Sequence, residues 1–182
     1  MRGCRAFRKC AGFTLAEVLV ALFIVALGVA GAAAVQAVAV HAAGEAARLS
    51  DGTRLAASLA QRMRANPAAM ALPDAANPYL QFEARAGEAI AAPVSCYADT
   101  DCSPVQMANF DLADTAEALA RRFPGGRMRV CRDAREPDPA GLLSWTCTGD
   151  SGAPVTIRLG WRARQGDPDV PVVFLTLGAG TP

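Results

Sequence analysis

The chain has 182 residues, 52% of them hydrophobic and 19% charged, with 18 Lys+Arg against 17 Asp+Glu for a net charge of +1. Such a balance gives no general field for nucleic acid or other polyanions, and a single His, His41, leaves no basis for a His-built metal site or a Ser/His/Asp triad. Much of the apolar excess lies between Phe13 and Ala43, which takes length away from any large core, so the composition disfavours a cytosolic enzyme.

Residues 1–12, MRGCRAFRKCAG, are short and basic; Arg2, Arg5, Arg8 and Lys9 lie there, and without them the remaining side chains would be net negative. From Phe13 the sequence runs FTLAEVLVALFIVALGVAGAAAVQAVAV, and Glu17 is the only formal charge as far as Ala43. About 20 mostly apolar residues cross a bilayer core as a helix, and this run is longer. The positive flank is N-terminal, which keeps residues 1–12 in the cytoplasm and sends the C-terminal part outward. A secretory signal would have a shorter apolar stretch, of about 7–15 residues, with its cut afterwards. Here the order of features places a cut before the apolar stretch, after Gly12. A plain signal anchor is the other alternative, and Glu17 argues against it. A carboxylate at mid-bilayer costs roughly 2.5–3.5 kcal/mol on insertion scales, less near an end. A charge so placed needs a partner, and a free α-amine created at Phe13 would supply one.

The run Gly12-Phe13-Thr14-Leu15-Ala16-Glu17, opening a long apolar helix after a short basic leader, resembles the class III signal of type IV prepilins. The resemblance implies that a prepilin peptidase cleaves between Gly12 and Phe13 and methylates the new amino group of Phe13. It also implies an assembly role for Glu17, which would neutralise the Phe13 ammonium of a neighbouring subunit and fix axial register as helices pack into a filament.

Beyond the membrane, Leu49, Leu55, Leu59 and Met63 make a narrow apolar stripe at near-helical spacing, and Asn66-Pro67 is a stop, because the residue before Pro avoids the α region. A helix from Phe13 to Ala65 would be about 80 Å long. Gly28 and Gly31 could dimerise helices, loosen the helix or be merely tolerated. His41 reads as a polar residue at the membrane boundary. The expected divisions are therefore a cleaved leader at 1–12, a transmembrane and assembly helix at 13–40, its periplasmic continuation at 41–66 and a globular head at 67–182.

Residues 67–95 are rich in Ala and Pro and read as a connecting loop with one short strand at Tyr79–Ala84. Ser103-Pro104-Val105-Gln106 is a helix start: Ser103 caps, Pro104 suits the first position and Gln106 completes a capping box. Leu112, Ala116, Leu119 and Phe123 give that helix an apolar face, and Pro124-Gly125-Gly126 ends it. Val155–Arg162 alternates strictly, with Val155, Ile157, Leu159 and Trp161 on one face. Val172–Leu177 is a continuous apolar run suited to a buried strand, and Met128–Arg132 and Leu143–Thr148 are plausible partners joined by the Asp133–Gly141 loop. The expected fold class is α+β, a long N-terminal helix packed on a C-terminal antiparallel sheet, which is also the architecture the prepilin resemblance implies.

Cys4 and Cys10 fall in the leader and would be discarded. Cys96, Cys102, Cys131 and Cys147 lie on the exported side, where disulfides persist, and four cysteines allow about three connectivities. Cys96–Cys102, closing a tight loop, and Cys131–Cys147, stapling two strands, are the favoured pairs. No CxxC knuckle supports zinc. Asp99, Asp101, Asp111 and Asp114 do not match a calcium loop and read as turn and cap residues, while Trp145 and Trp161 read as core or sheet-face aromatics. No phosphate-cradling loop and no nucleophile–base pair is evident, so neither catalysis, a cofactor nor a metal is expected.

Cys102–Leu112, followed by Phe123-Pro124-Gly125-Gly126 and the Ile157–Trp161 strand, is similar to the PilV-type minor pilins, the type IV pilus modification proteins. This implies a low-abundance subunit that primes or modulates pilus assembly among other minor and major pilins, anchored first in the inner membrane beside its assembly machinery. Two alternatives stay open at this level: a minor pseudopilin of type II secretion, which shares the leader and helix, and a membrane-anchored periplasmic binding or adhesive domain that never polymerises.

Overall fold

A computed structural model describes residues 12–88, 90–97, 101–135, 144–162 and 169–178. The leader residues before Gly12, Asp99 and Leu143 lie outside the described residues. The chain divides into two compact units, Met1–Ala46 and Ala47–Pro182.

The helix α1 runs from Leu15 to Ala65. No Pro occurs before Pro67, and Ala, Leu and Val with scattered Gly let the helix run on. In the second unit its buried residues are Gly52, Leu55, Ala56, Leu59, Ala60 and Met63, the i, i+3, i+4 stripe of a helix lying on a core. Leu49, expected at the head of this stripe, is 45% exposed. Gly52 marks where burial begins: a Cβ there would come within 2.9 Å of the Trp161 ring, so the missing side chain is what lets Trp161 lie against the helix. Asn66 then stops α1, and its side chain caps the short helix α2 (Pro67–Met70) by accepting from the Ala69 N–H at 3.3 Å.

The segment expected as a strand at Tyr79–Ala84 splits in two. Pro78–Gln81 is a 3-10 turn and only Glu83–Arg85 is a strand, β1. Turn chemistry decides this, because Pro78 fixes the first position and the Asn77 side chain accepts from the Tyr79 N–H at 3.0 Å. Helix α3 (Pro104–Arg122) opens on the capping box: the Ser103 hydroxyl accepts from the Gln106 N–H and the Gln106 side chain accepts from the Ser103 N–H at 2.9 Å. Leu112, Leu119 and Phe123 are buried as expected, and Ala116 is packed at the margin.

Strands β2 (Arg127–Arg132), β3 (Val155–Gly160) and β4 (Val173–Leu177) complete an antiparallel sheet of order β1-β2-β3-β4. Met128 lies opposite Leu159, Val130 opposite Ile157, and Val155 opposite Leu177. These side chains meet those of α1 and α3 in one hydrophobic core, so a long helix packed on an antiparallel sheet is indeed the architecture. The polar residues Arg62, Asn66, Tyr79, Asp111 and Asp114 lock the two helices together. The Tyr79 hydroxyl donates to Asp111 at 2.7 Å, Arg62 bonds both acids, and Asn66 donates to the Pro104 carbonyl at 2.8 Å. Burial and the Asp111 carboxylate push the Tyr79 phenol upward. Asp111 and Asp114 are therefore interhelical pairing groups rather than turn or cap residues.

Two expectations for the sheet fail, each for a non-local reason. Residues 144–148 are irregular, not a strand, and they cover the outer face of β3. All six β3 residues are buried, although alternation alone implies one solvated face. The charged one is Arg158, 2% exposed. It pairs with Asp133 and donates to the carbonyls of Ser144 and Thr146. Conversely Val173–Leu177, apolar but for Thr176, is an edge strand with Thr176 exposed and Phe174 and Leu175 only partly covered. The Cys131–Cys147 disulfide ties β2 to the irregular segment at a Cα–Cα distance of 6.3 Å, and Cys96–Cys102 closes the loop before α3 at 5.9 Å.

Burial works to raise the Asp133 carboxyl, but the Arg135 N–H, the Arg158 guanidinium and the Thr148 N–H together hold it below the ordinary carboxylate range. Its contribution is thus present above about pH 4, the ordinary value for the unfolded chain, and is lost as pH falls through the lowered folded value. Replacing Asp133 with Asn strands a buried guanidinium and is expected to cost about 3–5 kcal/mol, whereas the double change Asp133→Leu with Arg158→Met should cost less; denaturant melts of the detergent-solubilised chain measure both. Reducing the disulfides should destabilise the head by about 3 kcal/mol for the longer Cys131–Cys147 loop and about 2 kcal/mol for Cys96–Cys102, read as separate steps with Cys→Ser variants.

Candidate functional site

Thr14 and Glu17 define the start of α1. The Thr14 N–H donates to the Glu17 carboxylate at 2.9 Å, and the Glu17 N–H donates to the Thr14 hydroxyl at 3.2 Å. The Thr14 hydroxyl also donates to that carboxylate at 3.1 Å. This is a reciprocal capping box, and it satisfies two of the amides that a helix N-terminus leaves open. The sequence reading assigned Glu17 but missed Thr14. The signal was present: Thr-Leu-Ala-Glu is the S/T-x-x-E pattern ahead of an apolar run.

Phe13 precedes the cap and is 90% exposed. A Cβ at Gly12 would meet nothing within 4 Å, so nothing in the fold around it demands glycine there. Gly28, Gly31 and Gly44 are equally open. The structure thus brings Thr14 and Glu17 together and leaves Gly12 and Phe13 bare beside them.

Along the first unit α1 buries none of its side chains. Val18, Leu22, Phe23, Ile24, Leu27, Val35 and Val40 are all exposed, and His41 lies exposed on the same helix. By length and composition this helix can cross a membrane.

Among the described residues no group of three or more His, Cys, Asp or Glu is placed to hold a metal ion, and Cys96, Cys102, Cys131 and Cys147 are paired. Trp161 packs at 5.1 Å from Phe123, and Trp145 lies under the Arg127 guanidinium at 4.4 Å. Both aromatics serve the sheet.

The family described as Type IV pilin Tt1218 (Tt1218-like) matches residues 34–113, and the Prokaryotic N-terminal methylation motif matches residues 7–33. No curated protein and no solved structure matches the chain. Type IV pilins are structural proteins rather than enzymes. The methylation motif implies processing by a prepilin peptidase in a pilus context, and with the apolar helix it points to anchoring in the inner membrane. The two matches are consecutive, one over the capped start of α1 and the other from the middle of that helix into α3, and together they support a type IV prepilin-like protein.

Proposed function

We propose that this chain is a minor, low-abundance type IV pilin of the PilV type that primes or modulates pilus assembly. The observation that supports this reading is the bare apolar surface of α1, none of whose residues before Gly52 is buried. Such a surface needs lipid around the single chain and other helices around the assembled one. In this reading residues 1–12 remain cytoplasmic until prepilin peptidase removes them between Gly12 and Phe13, and the amine of Phe13 is methylated. Residues 13–40 hold the chain in the inner membrane, residues 41–66 continue the helix into the periplasm, and the head at 67–182 contacts other minor and major pilins. The pairs Cys96–Cys102 and Cys131–Cys147 brace that head where disulfides persist.

Glu17 carries the assembly step. Its carboxylate accepts from the Thr14 N–H and hydroxyl within the capping box, and a neighbour's Phe13 ammonium would pair with it as the inner-membrane machinery moves the helix out of lipid. No reaction is catalysed; the chain is the peptidase's substrate and needs neither cofactor nor metal.

Mass spectrometry of the membrane-extracted chain should find an N-terminus at Phe13 carrying an added methyl group. A Met1 terminus, or a cut after the apolar run, overturns the reading. Glu17→Gln separates charge from capping, because Gln can still fill the third helical position of the box. Its recruitment into surface pili should fall roughly a hundredfold or more, as expected for a lost buried ion pair worth about 3–5 kcal/mol. Unchanged recruitment would remove Glu17 from the assembly step, and a chain found in no pilus even with Glu17 intact would be an anchored binding or adhesive head that never polymerises. Loss of exoprotein export, with pili intact, in a deletion strain would instead mark a minor pseudopilin of type II secretion.

A further inference from the structure

The two edges of the sheet are unlike. Strand β1 is three residues long and carries Glu83 and Arg85, and the Glu83 carboxylate accepts from Arg127 at 2.6 Å. Short length and fixed charge are ways in which a sheet blunts an edge. Strand β4 has neither. Val173-Phe174-Leu175-Thr176-Leu177 contains no charge and no Pro, it pairs with β3 alone, and among the described residues 173–178 make no backbone hydrogen bond to any other segment. Among the described residues nothing pairs with its outward N–H and C=O groups.

Beside the end of this edge lies a cavity of about 570 Å³, lined by Met63, Met70, Val155 and Leu177 with Arg64 among its walls. The neighbouring cations are taken, Arg62 by Asp111 and Asp114 and Arg132 by Asp74. Arg64 is exposed and has no carboxylate within ion-pair distance among the described residues.

We propose that the free edge of β4 is a docking strand for an extended segment of another exported polypeptide, apolar at alternate positions, with a carboxylate that reaches Arg64. Only an extended main chain matches a row of open backbone donors and acceptors; a lipid tail or the side of a helix would cover them unpaired. A strand laid about 4.8 Å from β4 continues the inward row of Val173, Leu175 and Leu177, and that row leads to the cavity. Main-chain bonds then supply affinity while the cavity and Arg64 supply selection. A second copy of β4 offers no acid for Arg64, so charge complementarity favours a different partner.

The inference rests on the assembly reading only for where the partner is met. To test it, a benzophenone amino acid is placed in turn at the exposed positions Val172, Thr176 and Gly178 of the full chain, with Arg85 on the opposite edge as control, in cells assembling pili. Cross-links are mapped by mass spectrometry. They should fall on one segment of one partner and step along it by four and then two residues, in a single direction, as the probe moves. Thr176→Lys should lower the cross-link from position 178 tenfold or more, and Arg64→Glu severalfold, with the melting of the purified chain unchanged. Cross-links no stronger than from position 85, sites scattered without the step, or sites on a second copy of this chain each overturn the proposal. Incorporation into pili is scored in the same cells. A chain absent from pili that still gives the stepped pattern sinks the assembly reading alone, and a chain in pili without it sinks the docking strand alone.

Discussion

Apolar area left in water costs roughly 25 cal/mol per Å², and that cost governs how this chain is built. Helix α1 meets it twice, by different means. Its later residues, Gly52 to Met63, turn one stripe onto the sheet and are covered by the chain itself. Its residues from Val18 to Val40 are apolar around the circumference and none of the described residues covers them, so cover is needed from outside. One uninterrupted helix thus needs two kinds of surroundings, which is why Pro is absent from the first 66 residues while Gly, which weakens a helix without ending it, is allowed.

Glu17 sits in the part that depends on outside cover, and its capping box changes how its cost should be viewed. Two donors from Thr14, its N–H and its hydroxyl, reach the carboxylate, and the dipole at a helix N-terminus favours negative charge. The acid therefore has local support before it meets any neighbour. It has no local cation: the residues from Phe13 to Ala43 contain none. Hydrogen bonds offset part of the desolvation, and the net charge remains to be neutralised.

Much of this was legible in the sequence wherever the determinant was local. The extent of α1 follows from composition and the Asn66-Pro67 stop; α3 follows from Ser103, Pro104 and Gln106; β3 follows from alternation, with Met128–Arg132 as a plausible partner. What escaped was set by distant residues or by overlapping local signals. The outer cover of β3 depends on Asp133 meeting Arg158, a pair 25 residues apart, and no window spanning one strand contains both. An apolar run such as Val172–Leu177 says that a strand forms but not whether a neighbour covers it. Pro78 and Asn77 overrule a strand pattern by turn chemistry, and the Thr14 cap is a four-residue signal at the edge of a long apolar run whose lone acid dominates the pattern. The acids of α3 looked like loop residues only until Arg62, 49 positions earlier than Asp111, came to lie against them.

The segment 144–148 is gripped in large part by its main chain. Arg158 takes the carbonyls of Ser144 and Thr146, Arg129 that of Trp145, and Arg135 that of Thr146, while Asp133 receives the Thr148 N–H. A carbonyl is the same whichever residue bears it. Apart from Trp145, Cys147, and the Ser144 and Thr148 hydroxyls that accept from the Thr146 and Ala134 N–H groups, side-chain identity there matters little to the anchorage, so this strip of surface can vary in sequence without loosening the head that carries it.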